Sequence, residues 1–439
     1  MADLSINCAG IKSPNPFWLA SAPPSNSAYQ NCKAFEEGWG GTVWKTIGEP
    51  VMNVSNRYGG LDYNGRKLVG LNNIELISDR DNNINLKEIT ETKKLWPDRA
   101  IVVSLMVESK REVWHDIVKR TIDTGADGIE LNYGCPHGMS ERGMGSAVGQ
   151  VPEYCEMITS WVKEVSTIPV LVKLTPNISN IRLPARAAKN GGADGITLIN
   201  TINSIMGVDL DTLEIFPSVA GKGGHGGLAG PLVKPIALNL LSQVATDKLV
   251  NLPISGIGGI STWRDALEFI LLGSTSVQVC TAVMHHGFRI VEDMIDGLSN
   301  WMDDKGFKTI DEIVGKSLNR IDDFGNFNLL FKTVANINQE KCINCNLCYI
   351  ACEDTEHQAI SLNKENGKTK TEIIEENCVG CDLCSIVCPV EECITMQRKD
   401  SQKVSKTWNE LMADMKNRGE ELSWENLRKF QHEHGIEIH

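Results

Sequence analysis

The chain has 439 residues, 41% of them hydrophobic and 23% charged, enough for two or three domains built on a sizeable core. Its net charge of −13, without a long basic run, argues against nucleic acid as a partner. No apolar segment approaches the ~18 residues that a membrane span requires, and Met1–Gly10 lacks the basic-then-apolar order of a secretory signal.

In chain order, short apolar runs alternate with helical patterns, the mark of βα units and a parallel sheet. The runs are Pro16–Ser21, Gly41–Thr46, Ile101–Met106, Gly128–Asn132, Val170–Thr175, Gly195–Thr201, Pro253–Gly258 and Ser276–Ala282. Two are opened by the same turn, Gly125-Ala126-Asp127-Gly128 and Gly192-Ala193-Asp194-Gly195. Eight such units within residues 1–305 predict an α/β fold of the (β/α)8 TIM-barrel type. A doubly wound sheet would need a different strand count and usually a glycine-rich first turn. No G-x-G-x-x-G stands between a strand and a helix with an acid downstream, so no dinucleotide domain is expected.

In such barrels the chemistry sits where the strands end. The fourth run ends in Asn132-Tyr133-Gly134-Cys135-Pro136-His137-Gly138 and leads into a Gly- and Met-rich loop, Gly138–Gly149, read as a lid. An asparagine amide can pair with the edge of a cyclic amide or imide. An ordinary thiol, with a pKa of ~8.5, is protonated at neutral pH and can act as a general acid. The alternative is that Cys135 is a buried core cysteine. Lys45 ends the second strand and Lys173 lies within the fifth, both among apolar neighbours. Each must therefore point into the barrel mouth or meet a countercharge. Asn200-Thr201 ends the sixth. Gly223–Gly230 and Ser255–Ile260 read as glycine-rich turns, and Cys280-Thr281 follows the eighth strand. Loops after strands seven and eight are a frequent phosphate site in these barrels; the alternative is plain loops.

Residues 306–336 read as a linker, 337–397 as a cluster domain and 398–439 as a charged helical tail. Within the cluster domain, Cys342, Cys345, Cys348 and Cys352 are spaced C-x2-C-x2-C-x3-C, and Cys378, Cys381, Cys384 and Cys388 repeat that spacing 36 residues later. Three thiolates of such a run hold one cubane cluster and the fourth reaches the other. The expected sets are Cys342, Cys345, Cys348 with Cys388, and Cys378, Cys381, Cys384 with Cys352. Structural zinc or disulfides are the alternatives; zinc sites usually pair C-x2-C units across longer gaps. Two [4Fe–4S] clusters move electrons singly and call for a reducing compartment, so the cytoplasm is expected. Of the remaining thiols, Cys8, Cys32, Cys155 and Cys393 are assigned to packing.

The run Asn132–Met139 followed by Glu141-Arg142-Gly143-Met144-Gly145 resembles the active-site loop of the dihydropyrimidine dehydrogenases. So do Lys173-Leu174-Thr175-Pro176-Asn177, Asn200-Thr201, Leu71–Ile77 and the ferredoxin-like tail; the resemblance extends over residues 1–397. It is greatest to the bacterial NAD-dependent form, whose flavin and cluster subunit works with a separate NADH-oxidising subunit. The dihydroorotate dehydrogenases are broader relatives.

The resemblance implies reduction of the 5,6 double bond of uracil or thymine. Reduced FMN would give hydride to C6 and Cys135 a proton to C5. Asn73, Asn132, Asn200 and Thr201 would bind the ring. Lys45 and Lys173 would hold the flavin, and Gly230, Gly258, Gly259, Cys280 and Thr281 would lie at its phosphate end. NAD would bind the partner subunit, in a hetero-oligomer or homodimer. The chain departs from the family at one place: the serine that usually precedes the catalytic cysteine is Gly134. The rival readings are a dihydroorotate dehydrogenase with a fused ferredoxin, a reductase of another cyclic amide, and a non-enzymatic electron carrier.

Overall fold

The computed structural model describes residues 2–433 apart from positions 50, 64, 137–142, 366–367, 400–405 and 422. The chain divides into two compact units, Met1–Arg320 and Ile321–His439. The segment 306–336 is thereby shared: its first part packs with the first unit and its remainder with the second.

In the first unit eight strands close into a parallel barrel. They are β1 (Phe17–Leu19), β2 (Gly41–Ile47), β3 (Ala100–Leu105), β4 (Gly128–Tyr133), β5 (Val170–Leu174), β6 (Gly195–Leu198), β7 (Ile254–Ile257) and β8 (Ser274–Val279). Each strand lies beside its sequence neighbour, and β8 closes on β1. These are the eight apolar runs, and their near-complete burial explains why they read as continuous hydrophobic stretches. The recurring Gly-Ala-Asp-Gly turns have a shared purpose. The Asp127 carboxylate accepts from the Ile101 N–H at 2.8 Å and the Lys93 ammonium at 2.7 Å. Asp194 does the same with Val170 N–H at 2.8 Å and Lys163 at 2.7 Å. Each aspartate thus satisfies a main-chain donor at the start of the preceding strand and fixes where its own strand begins. At that end of the barrel the hairpin of Ile6–Cys8 and Ile11–Ser13 packs Ile11 against Gly128 and Ala9 against Gly195, sealing the bottom.

At the opposite end an antiparallel four-stranded sheet forms a roof, ordered Ile202–Ser204, Gly226–Ala229, Arg66–Asn73 and Tyr58–Tyr63. The Gly223–Gly230 stretch, read from sequence as a turn, therefore contains a strand. Its glycines are where a neighbour comes close: a Cβ at Gly226 would lie 2.2 Å from Asn72 Oδ1, and one at Gly227 would lie 2.2 Å from Thr201 Oγ1.

The second unit is an internal near-duplicate. Helix Leu347–Thr355 leads to strand Ile360–Glu365, which pairs with Lys368–Ile373, and helix Leu383–Ile386 leads to strand Ile394–Arg398, which pairs with Thr333–Ile337. Asn344 and Asn346 have positive φ (55° and 63°), as do Gly380 and Asp382 at the matching positions (74° and 70°). Asn, Asp and Gly are the residues that tolerate this conformation, and it is what curls each cysteine run around a centre. The tail folds into helices Trp408–Asn417 and Trp424–Glu433 around Leu411, Met415 and Leu427. Among the described residues no helix is long and apolar enough to cross a membrane.

Candidate active site and cluster centres

A cavity of about 1120 Å³ opens at the C-terminal end of the barrel strands, under the roof. It brings together every barrel residue singled out from sequence: Cys135, Asn73, Asn132, Asn200, Thr201, Lys45, Lys173, Gly230, Gly258, Gly259, Cys280 and Thr281 all line it. Of the expected lid, residues 137–142 lie outside the described residues; its end forms the short helix Ser146–Gly149.

One side of the cavity is an amide cluster. Register sets Asn132 on β4 opposite Lys173 on β5. Asn132 donates through Nδ2 to Thr46 Oγ1 at 3.0 Å, and Asn200 donates through Nδ2 to Asn132 Oδ1 at 2.9 Å. Thr46 is in turn bonded to Ser104 and Ser21. The asparagines are thus held in their rotamers by this network. Gly134 permits this arrangement: a Cβ there would sit 2.3 Å from Asn200 Cβ and 2.6 Å from its Nδ2. From the roof, Asn73 donates to Gly227 O at 3.2 Å and accepts from the Glu75 N–H. Cys135 is buried beside Ile77, Met106 and Met144, and its thiol donates to Leu76 O at 3.5 Å.

Both lysines are buried, and both are paired. Lys45 Nζ lies 2.6 Å from Glu75 Oε1, which also takes Arg57 at 3.1 Å and the Tyr58 hydroxyl at 3.2 Å. Lys173 Nζ lies 3.5 Å from Glu130 Oε1 inside the barrel, and Gln278 donates to Glu130 Oε2 at 3.0 Å. Burying a charge demands such a partner. Gln278 also lines the cavity, and its Oε1 has no hydrogen-bond partner among the described residues. At the far side, Gly258 and Gly259 have φ of +136° and +77°, and a Cβ on either would come within 2.8 Å of the preceding helix, Lys234–Ala245. Only glycine lets the main chain pass there so close to its neighbours. Cys280 keeps part of its surface open, but burial pushes its thiol up to about 11 against the pull of Lys173, so it is protonated at neutral pH.

In the second unit the eight cysteines surround two apolar hollows. One, about 330 Å³, is lined by Cys342, Cys345, Cys348 and Cys388; the other, about 380 Å³, by Cys378, Cys381, Cys384 and Cys352. The fourth cysteine of each run faces the other run's hollow. All fourteen cysteines are free thiols. Among the described residues no three His, Cys, Asp or Glu converge as they would on a single ion. Four thiols spread around a hollow fit a polynuclear iron–sulfur group better than zinc.

Sequence reasoning assigned no role to Glu75, Glu130, Gln278, Tyr58 or Thr46. For Glu130 a signal existed: an acid inside the apolar run Gly128–Asn132 needs a buried partner just as Lys173 does. Glu75 and Tyr58 carry no such mark, because Tyr58 opens a roof strand and Glu75 lies just beyond the end of another.

The dihydroorotate dehydrogenase family model matches residues 3–302, and a 4Fe-4S dicluster domain model matches residues 335–396. The chain is 43% identical over 372 residues to the NAD-dependent dihydropyrimidine dehydrogenase subunit PreA of Escherichia coli K12, covering 84% of this chain and 89% of that one. It is 42% identical to the chloroplastic dihydropyrimidine dehydrogenase (NADP(+)) of Arabidopsis thaliana (72% and 77% covered). With the catalytic subunit of dihydroorotate dehydrogenase B (NAD(+)) of Pyrococcus abyssi the identity is 35% (72% and 99% covered). A crystal structure of DHODH in complex with ferulenol from Eimeria tenella superposes with a TM-score of 0.58 at 18% identity, over 71% of this chain and 88% of that one, which speaks to the fold alone.

Proposed function

The chain belongs to the dihydroorotate dehydrogenase family, with a 4Fe-4S dicluster domain after the barrel, and from that premise we propose that it is the catalytic subunit of an NAD-dependent dihydropyrimidine dehydrogenase. Its reaction is reduction of uracil or thymine across the 5,6 double bond. The observation that carries the reading is the single cavity in which an acid thiol, three asparagine amides and two lysines meet. The 43% identity to the Escherichia coli subunit over 372 residues supports it.

When bound, FMN supplies the hydride for C6, and the two [4Fe–4S] clusters supply the electrons that replenish it. Cys135 holds at Sγ the proton destined for C5. Asn132, Asn200, Asn73 and Thr201 orient the ring through its amide edges. Lys45 and Lys173 place positive charge at the flavin. Gly230, Gly258, Gly259, Cys280 and Thr281 receive its phosphate end. Cys342, Cys345, Cys348 and Cys388 hold one cluster, and Cys378, Cys381, Cys384 and Cys352 the other. Electrons enter from an NADH-oxidising partner subunit in the cytoplasm.

A neutral imide ring is matched by the amides of Asn73, Asn132 and Asn200, which line the cavity. The test is a steady-state assay on uracil, thymine and dihydroorotate, with the NADH-oxidising partner added or withheld. Turnover of uracil or thymine that requires the partner is expected. NADH-driven activity without the partner, or preference for dihydroorotate, overturns the reading, as does purified protein with no flavin spectrum.

A further inference from the structure

The hollow lined by Cys342, Cys345, Cys348 and Cys388 has a fifth thiol, Cys393. Cys393 is 2% exposed and packs in the same apolar cluster as Cys342 and Cys388, with which it lines one hollow. It is held firmly. Its N–H donates to Val390 O at 3.2 Å, and its carbonyl accepts from Asn338 N–H at 2.7 Å. The thiol itself donates to Asn338 O at a long 3.7 Å, and that carbonyl already accepts from Cys342 N–H at 3.0 Å.

The near-duplication supplies an internal comparison. Ala359 occupies the equivalent place in the other half: each residue stands just before a strand, Ile360–Glu365 or Ile394–Arg398, and each lines the hollow that the fourth cysteine of its own run faces. Ala359 gives its N–H to Cys352 Sγ, the fourth cysteine of its run, at 3.3 Å. From Cys388 to Cys393 the chain is two residues shorter than from Cys352 to Ala359. There the main-chain N–H is turned away to Val390, and the side chain has a proton to offer in its place.

We infer that Cys393 is a positioning donor for one cluster: its S–H bonds the thiolate sulfurs of Cys388 and Cys342 and so sets the two clusters' reduction potentials apart. The inference rests on the ligand sets proposed above. A ligating thiolate carries negative charge and is a stronger acceptor than the neutral Asn338 carbonyl. Reduction adds negative charge to the cluster. A donor on its sulfurs therefore favours the reduced form and raises the potential.

The test is an EPR-monitored redox titration of the cluster-loaded full chain, with iron content measured alongside. In Cys393→Ala one midpoint should fall while the other holds, with about eight irons per chain as two [4Fe–4S] clusters require. Cys393→Ser, which keeps a donor, should recover much of the shift. Should Cys393→Ala fold poorly, Ala359→Cys gives the converse: an added thiol should raise the midpoint of the other cluster. Unchanged midpoints with both clusters present would reduce Cys393 to packing and overturn the inference. Loss of one cluster in both Cys393 variants would make it a ligand and overturn the donor role. Wild-type protein without two clusters would instead defeat the ligand sets themselves.

Discussion

Cys135 ends β4 with its thiol on the Leu76 carbonyl, flanked by Gly134, whose missing side chain is what allows Asn200 to reach Asn132. Two predictions belong to this pair. Cys135→Ala should lower pyrimidine reduction by ~10²–10⁴-fold, the usual worth of a positioned proton donor, while the flavin absorbance of the purified protein stays unchanged. Full activity in that variant would remove Cys135 from the chemistry. Gly134→Ser restores the residue that the family usually has there, but into space already filled by Asn200. Overpacking of this kind costs ~1–3 kcal/mol, so kcat/KM for uracil should fall by roughly ten- to a hundredfold, mostly through KM. An unchanged KM would mean that Asn200 does not touch the ring. Legibility from sequence divides along the same line. Cys135, Asn132 and Lys173 stood out because their residue types are unusual at the ends of apolar runs. Glu75 could not, since an acid looks ordinary until the fold brings Lys45 to it across the barrel mouth.

Individual elements show the same contrast. The barrel strands were legible because burial on both faces makes each a short apolar run, with an aspartate turn to mark the start of β4 and β6. The roof was not. Strand Gly226–Ala229 is half glycine, and Tyr58–Tyr63 is largely exposed with a broken polar pattern, so neither shows the alternation that announces a strand. Behind the Gly258–Gly259 turn, helix Trp263–Leu271 begins with a capping box of Thr262 and Asp265, and Asp265 also binds Lys234 of the preceding helix at 2.7 Å. Burial alone would raise the Asp265 carboxyl. The Lys234 ammonium, the Ser261 N–H and the Thr262 hydroxyl outweigh it and hold the group below the ordinary carboxylate range. That stabilisation is whole above the unfolded pKa of ~3.9 and is lost as pH falls through the lower folded value. Asp265→Asn should therefore cost ~1–2 kcal/mol at pH 7, the scale of a lost cap. The gap to wild type should narrow at pH ~3; urea melts at the two pH values check this, and a constant gap would contradict it.

At the scale of the whole molecule, each unit has its own core: the barrel around Trp18, Trp44 and Phe269, the cluster unit around Ala335, Ile360 and Ile394 with its cysteines. A metal site absent from the unfolded chain contributes its binding energy to folding, and here that contribution falls on the second core alone. Calorimetry of the loaded protein should show two transitions, and iron removal should lower one and leave the other, together with bound flavin, in place. A single transition that shifts as a whole would show that the cores unfold as one. The roof has a different consequence. Its strands come from two excursions, 58–73 and 202–229, that leave the barrel and pair chiefly with each other through main-chain ladders. Only a few of their side chains, Tyr58, Leu71, Asn73, Leu228 and Ala229 among them, look into the cavity. A ceiling hung in this way can be exchanged between homologues as one cassette, so that ring preference can be re-engineered while the machinery below it is left alone.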